Sequence, residues 1–536
     1  MKKKRILSMV ITGSILMGVL VACTPSAQPA PTPAAPAQTP AATTPAAPTQ
    51  TPVAPPVEAA QFQRGITVAN MAEPSTVMPA RHTTLVGSFV NAMTHNGLFR
   101  LDENLVPVPD LAYEVIALSD TLFEMRLHQN VYFHNGDHMT AYDIAAAFEY
   151  VRTYPEQRAN QQSVQSWEVV DTYTIRIDSG EPNAMLFSEL AGHGNFIFPR
   201  SLIEAGYDFS VNPVGTGPFV FEEWRAGDFM HFNAFDNYFD QGRLPSVGYV
   251  HWRIIPEGTS RTIALEMGEV DYVIDVALPD VARLKENPDI TVMERPGVMF
   301  QNFQMNAVLA PTDNIHVRRA VDMALDREAM MMVALDGYGI VISQATPPIF
   351  AGSSTVGTRS FDPDGARALL AEHGIDPATI GFEILAFDEQ HRRRAEVAQS
   401  NLMDIGIPTT ITMIEFATWL THTFDYTAWN FTFANQSATS LPAFLRGMSH
   451  SQLRGTANRA NHIIPELDAL IDQAFATIDD DARVAIMEQA SIILNEYAAL
   501  NGINMALLFR AFDANLVVPE LAANGFMFKN MIYWNE

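Results

Sequence analysis

The residue types that carry chemistry are few in this chain and poorly arranged for catalysis. Cys23 is the only cysteine among 536 residues, which leaves no thiol pair for a disulfide or a thiolate metal site. His134 and His138 lie four apart with His128 nearby, a spacing that suits metal ligation when both rings share one helical face. Here Asn135-Gly136-Asp137 places a turn between them, so solvated turn histidines are expected and a metal site is not. The neighbouring carboxylates Glu222-Glu223 and Asp479-Asp480-Asp481 read as strand-edge and helix-start charges, the latter favoured by the helix dipole. The run Met330-Met331-Met332 reads as helix packing rather than a thioether metal box. Phosphate-loop, nucleophile-elbow and zinc-protease motifs are all absent. The residues point to binding rather than to an enzyme, with no cofactor.

Cys23 has a more specific setting. Residues 2–5 are Lys-Lys-Lys-Arg and 6–22 are almost entirely apolar, the arrangement of a secretory leader. Leu20-Val21-Ala22-Cys23 resembles a bacterial lipobox, in which the cysteine is acylated and becomes the new N-terminus. Residues 1–22 are therefore expected to be a signal peptide and Cys23 a two-chain lipid anchor. Residues 23–60 repeat Pro, Ala, Thr and Gln with one charge, Glu58, and read as an extended tether. The expected location is the cell membrane, lipid-anchored and facing the periplasm or the cell exterior.

Composition narrows the classes further. The chain is 48% hydrophobic and 17% charged, with 33 basic against 60 acidic residues. Loss of the four leader cations leaves 29 basic residues and a formal charge of −31, with Lys285 and Lys529 the only lysines. That balance argues against a nucleic-acid partner, and the apolar content against a disordered chain. It disfavours strongly anionic solutes in general terms but says nothing of any local cleft.

Beyond the tether, the patterning is α/β. Phe123, Met125 and Leu127 alternate with polar residues as a half-buried strand, and Thr140 with Asp143 forms a capping box opening a helix at Ala141. Asp362 and Pro363 start a helix that Gly374 stops. Phe382, Ile384 and Ala386 form a strand. Ala395, Ala398, Leu402 and Ile405 follow at helical spacing up to Gly406, then Ile411 and Met413 form the next strand. Ile486, Ala490, Ile493 and Tyr497 mark a late amphipathic helix. Ser260 is expected to cap the helix carrying Ala264 and Leu265.

Five stretches in order resemble the family 5 extracellular solute-binding proteins of peptide and nickel ABC importers. They are Gly97-Leu98-Phe99 through Glu114; Phe133-His134-Asn135-Gly136-Asp137 with Thr140 and Asp143; Asn212 through Phe219, followed by Trp224, Gly227 and Tyr238; Arg261, Ala264-Leu265 and Gly268 through Asp271; and Val317-Arg318-Arg319-Ala320 with Asp326-Arg327. In the third, Gly215 and Gly217 are expected to supply backbone freedom where the chain re-enters a sheet. The resemblance implies a bilobed periplasmic-binding-protein-like clamp with an extra inserted domain, three domains in all. Domain I would comprise 61–97, 206–304 and 504–536, domain II 98–205 and domain III 305–503. It implies a monomer that captures a small-molecule or peptide ligand between two lobes and passes it to ABC permease subunits in the membrane.

The resemblance also implies where ligand sits. Peptide-binding relatives hold the ligand's α-amino group with an aspartate that follows a tryptophan-containing strand. Here that stretch is Trp429 through Gln436, and Asn435 stands at the aspartate's position. An amide cannot form the charge-assisted pair with an ammonium. Asn435, with Trp419 and Trp429 flanking it, therefore keeps an oligosaccharide ligand open beside the peptide. Arg393, from Arg392-Arg393-Arg394, is the candidate for a ligand carboxylate, and Asn306 is a further candidate near the crossing between lobes.

Overall fold

A computed structural model of the chain describes residues 64–82, 84–154, 163–425, 427–437, 440–520 and 532–535. The expectations for the leader, Cys23 and the tether lie outside those residues. Two long strands organise the rest: Ile290–Met305, of 16 residues, and Leu500–Asp513, of 14, run antiparallel to each other. Their register shifts between Pro296 and Phe300, where Gly297 lies against Leu508. On one side of the shift the sheet continues through Tyr272–Ile274, Ile66–Asn70, Tyr249–Ile254, Phe229–Ala234 and Phe219–Arg225. On the other it continues through Phe431–Gln436, Phe382–Ala386 and Thr409–Met413. A single sheet thus runs through two lobes joined by the long strands.

Each lobe buries its own apolar surface. Val68, Phe232, Trp252 and Phe512 are central in the first, and Phe303, Ile384, Ala398 and Phe431 in the second. A third core, around Phe133, Ile144 and Phe148, sits under the four-stranded sheet Ala112–Ala117, Leu122–Leu127, Thr174–Asp178 and Ser166–Asp171. Its elements fall in the chain between the first-lobe strands Ile66–Asn70 and Phe219–Arg225. The architecture is a bilobed α/β clamp with an inserted domain.

The helices start and stop where side chains dictate. Thr140 and Asp143 form the capping box of Ala141–Arg152. Asp362 accepts from the Gly365 amide to open Pro363–Glu372, and Gly374 follows at φ +64°. Asp479 caps Asp480–Tyr497, with Asp480 and Asp481 in the first turn, so that acidic run serves the helix start. Ser260 does not cap its helix. Glu257 does, its carboxylate accepting from the amides of Thr259 and Ser260, because the longer side chain reaches the free N–H groups from one turn earlier.

Gly215 and Gly217 also have a different cause from the one their motif suggests. Neither has a positive φ; a Cβ on Gly215 would overlap Thr94 O and the His95 ring, and one on Gly217 the backbone of Met93, Thr94 and His95. The segment is pinned there by Gly217 N–H to Thr94 O at 3.0 Å and His134 N–H to Gly215 O at 2.9 Å. The motif is a close crossing of two first-lobe segments, and the His134 bond ties the inserted domain to it.

Candidate functional site

The second lobe carries the convergent polar groups. Its strands Phe382–Ala386 and Phe431–Gln436 run parallel, and open α/β sheets bind ligands beyond the carboxyl ends of such strands. The chain leaving Ala386 turns at Asp388 into the helix Glu389–Asp404. Asp388 caps that helix, its Oδ1 accepting from the His391 amide at 2.8 Å and facing the ring Nδ1 at 2.6 Å. His391 is fully buried, and its Nε2 has no hydrogen-bond partner among the described residues.

Arg394 lies on the same helical stripe and is buried. Its Nη2 donates to the amide oxygen of Gln301, while its Nε has no partner among the described residues. Burial brings the guanidinium pKa down to about 10, only partly opposed by the charge of Asp388. On the sheet, Gln301 stands opposite Asn504 on one side and Asn435 on the other. Asn504 is buried with neither amide atom partnered among the described residues; Gln436, opposite Phe300 on the other face of the sheet, accepts from Asn302. Buried polar groups are ordinarily hydrogen-bonded, so their concentration at one edge marks a place that a ligand or ordered water completes. Asn435 is exposed, and no hydrogen bond from its amide to its own loop is present among the described residues.

Aromatic rings extend from this edge along the Phe431–Gln436 strand. Trp419, from the helix Phe416–Phe424, is buried and donates its indole N–H to Thr432 Oγ1 at 2.8 Å. Its ring lies 4.7 Å from Phe387, which in turn lies 4.1 Å from the His391 ring. Trp429 packs into the same cluster with its indole N–H buried and unpartnered among the described residues. Asn306 donates from Nδ2 to Trp429 O at 2.9 Å and accepts from Val308 N–H at 3.3 Å. Both atoms of its amide are thereby engaged, and its geometry is that of a residue holding the Trp429 loop in place.

The five candidate residues therefore divide. Trp419, Trp429 and Asn306 meet around one strand, and Asn435 stands at that strand's carboxyl end. Arg393 is turned away: its side chain is 47% exposed and pairs with Glu389 at 3.0 Å, beside a surface depression lined also by Val333, Val397 and Asn401. The helix phase explains this, since residue 393 falls outside the stripe of buried residues 391, 394, 395, 398 and 402. The inward cation is Arg394, which the spacing of Ala395, Ala398 and Leu402 could have identified. Gln301 and Asn504 carried no sequence signal, because their importance comes from facing each other across two long strands.

The histidines of the Asn-Gly turn are bonded to protein. His134 Nε2 lies 2.9 Å from Gly217 O and His138 Nε2 2.6 Å from Gln129 O. Among the described residues, no group of three or more His, Cys, Asp or Glu is placed to hold a metal ion.

Residues 106–452 match the family of bacterial extracellular solute-binding proteins, family 5, middle section. The chain belongs to this family. The glutathione-binding protein GsiB of Salmonella typhimurium is 27% identical over 363 residues, covering 66% of this chain and 70% of its own. Heme-binding protein A of Haemophilus influenzae is 28% identical over 365 residues, covering 65% and 66%. Among solved structures, HbpA2 from Haemophilus parasuis superposes with a TM-score of 0.81 at 20% identity, covering 88% of this chain and 99% of its own. DppA from Helicobacter pylori, in complex with the peptide STSA, gives 0.73 at 21% identity, covering 89% and 99%. The family 5 clamp inferred from the ordered motifs is thus the fold of this chain, and family 5 proteins serve solute transport. None of these relatives lends support to the oligosaccharide alternative.

Proposed function

We propose that this family 5 protein is the solute receptor of an ABC importer that takes short peptides or peptide-like solutes between its two lobes. The single observation that carries the reading is the group of buried, unpartnered polar atoms on Arg394, His391 and Asn504 in the second lobe. Such atoms each forgo about 1–3 kcal/mol until they are paired, so a solute that pairs them binds with that energy in hand. Arg394 would take a carboxylate of the solute, Asn435 and Gln301 its amide groups, and Trp419 with Trp429 its apolar parts. The glutathione-binding protein of Salmonella typhimurium and the STSA complex of DppA support the peptide-like class.

The register shift near Gly297 in the two long strands is the natural hinge, and closure about it would bury the solute and present a liganded shape to the permease. The same proposal takes the lobes at the boundaries expected from sequence, with 61–97, 206–304 and 504–536 as one domain, 98–205 as the inserted one and 305–503 as the other lobe. It holds the monomer at the membrane through acylated Cys23. Calorimetric titration with a panel of di- and tripeptides, with free and with acetylated amino termini, tests it: saturable one-to-one binding of at least one member is the expected result, and no binding of any small solute would end the reading.

A further inference from the structure

Arg459 is the second cation in this part of the fold, and its surroundings differ from those of every ion-paired arginine nearby. Its guanidinium carbon lies 5.3 Å from the Trp419 ring centroid and 5.3 Å from that of Phe424, both on the helix Phe416–Phe424. It is half-buried, and its Nε is buried without a hydrogen-bond partner among the described residues. No ion pair to it is present among those residues. The carboxylates nearest in sequence to the ring pair are already engaged: Glu415 caps the Phe416–Phe424 helix through the amides of Ala417 and Thr418, and Asp425 accepts from the amide and hydroxyl of Thr427. Burial alone lowers its pKa, with no neighbouring charge acting in either direction.

A desolvated guanidinium held over aromatic faces is oriented but not neutralised. The rings fix its plane and leave the donor edge open for a planar oxyanion. Trp419 connects it to the edge described above, because Trp419, Phe387 and His391 form a continuous run of ring contacts ending on the helical turn that carries Arg394. Two guanidinium groups without carboxylate partners among the described residues thus stand at the two ends of one run of ring contacts. Asn435 and Gln301 are amides, Trp429 offers an N–H, and the carboxylates Asp388, Glu415 and Asp425 are engaged by His391, by a helix start and by Thr427. These two guanidinium groups stand out in a chain that is strongly acidic as a whole.

We propose that Arg459 is a second anion-binding arm of the ligand site, so that the solute is an acid with at least two separated carboxylates and no free ammonium group. This rests on the reading of the second lobe as the solute site and narrows it from peptide-like solutes to polycarboxylate ones. Both a blocked acidic peptide and a non-peptide tricarboxylate present that chemistry, and Asn435 offers neither of them a repelling charge. A zwitterionic peptide, by contrast, would bring an ammonium to a site with no free anion to receive it.

The test uses the full chain and calorimetric titration with N-acetyl-Glu-Glu, tricarballylate, N-acetyl-Ala-Ala, Ala-Ala and Lys-Ala. Binding of N-acetyl-Glu-Glu or tricarballylate at least about tenfold tighter than N-acetyl-Ala-Ala is expected, and whichever of the two binds tighter shows whether the backbone amides of the solute are read. In Arg459→Gln that advantage should fall by about 10- to 100-fold, the worth of a charge-assisted pair, while Arg459→Lys retains part of it. A thermal melt within a few degrees of the parent's shows that the Gln variant is folded; if it is not, the Lys variant carries the comparison. Equal affinity for acidic and neutral members, an advantage that persists without Arg459, tighter binding of Lys-Ala, or no binding of either acid would overturn the inference. In the third case the receptor function stands and only the acidic class fails; in the last it stands if another solute co-purifies.

Discussion

The Nη2 of Arg394 donates to the side-chain oxygen of Gln301, joining the first turns of a helix to the long strand that passes between the lobes. No ion pair to Arg394 is present among the described residues, and Gln301 is itself flanked by Asn504 and Asn435. A buried charge resting on an amide is incompletely compensated, and that incompleteness is what a solute carboxylate would remove.

Arg394→Met is therefore expected to weaken solute binding by about 10- to 100-fold, the loss of a charge-assisted hydrogen bond from a desolvated site. Arg393→Gln, one residue away but exposed and paired with Glu389, is expected to change affinity by less than about twofold. Titration of both variants with the same solute checks this; equal losses would place the binding face of the helix elsewhere.

Asn435→Asp introduces a carboxylate at the exposed end of the Phe431–Gln436 strand. It is expected to weaken binding of acidic solutes and strengthen binding of peptides with a free amino terminus, each by several-fold. A variant that binds both classes as the parent does would mean that position 435 does not face the solute.

How much of this was legible in sequence depends on the distance over which each feature is specified. Capping residues such as Asp362, Thr140 and Asp479 act within one turn, and their helices begin where the residues indicate. The glycines of the Asn212–Phe219 stretch marked a real constraint, but its cause is a backbone crossing with Met93 and Thr94, more than a hundred residues away in sequence, which no local pattern encodes. Arg394 is readable from helix phase, whereas side-chain chemistry and the family resemblance favour Arg393 without specifying which way it points. Gln301, Asn504 and Arg459 acquire meaning only from strand pairing and ring contacts across the folded lobe.

Gly217→Ala should destabilise the protein by about 1–3 kcal/mol, because a methyl group has no room between this segment and Thr94. Urea unfolding measures it, and solute affinity in the folded variant is expected to be preserved, since the crossing lies in the first lobe, away from Arg394 and Gln301. A neutral effect on stability would show that the crossing relaxes at no cost.

His462 is fully buried, and desolvation, followed by the charge of Arg318, pushes its pKa down from 6.5 to about 4. The unfolded chain therefore takes up a proton at this residue that the folded chain refuses. Its contribution to stability is complete above pH 6.5 and is lost as the pH falls towards 4, with a slope approaching about 1.4 kcal/mol per pH unit from this group alone. His462→Gln should flatten the pH dependence of unfolding in that window. An unchanged slope would mean that the ring is hydrated in the folded protein.

Trp419 is the aromatic residue most directly coupled to the proposed solute, through Phe387 at one end and Arg459 at the other. Solute binding should alter tryptophan emission in the parent, and Trp419→Phe should remove most of the signal while affinity falls by less than about tenfold. Emission that changes equally without Trp419 would assign the signal to another indole.

The central claim, that this clamp holds a solute, is tested most directly by native mass spectrometry of the protein purified without denaturation. A bound species of defined mass is predicted, released on unfolding, carrying at least two acidic groups and missing from the Arg394→Met variant. A protein that carries no solute and takes up none from acidic, neutral or basic peptide mixtures would contradict the account.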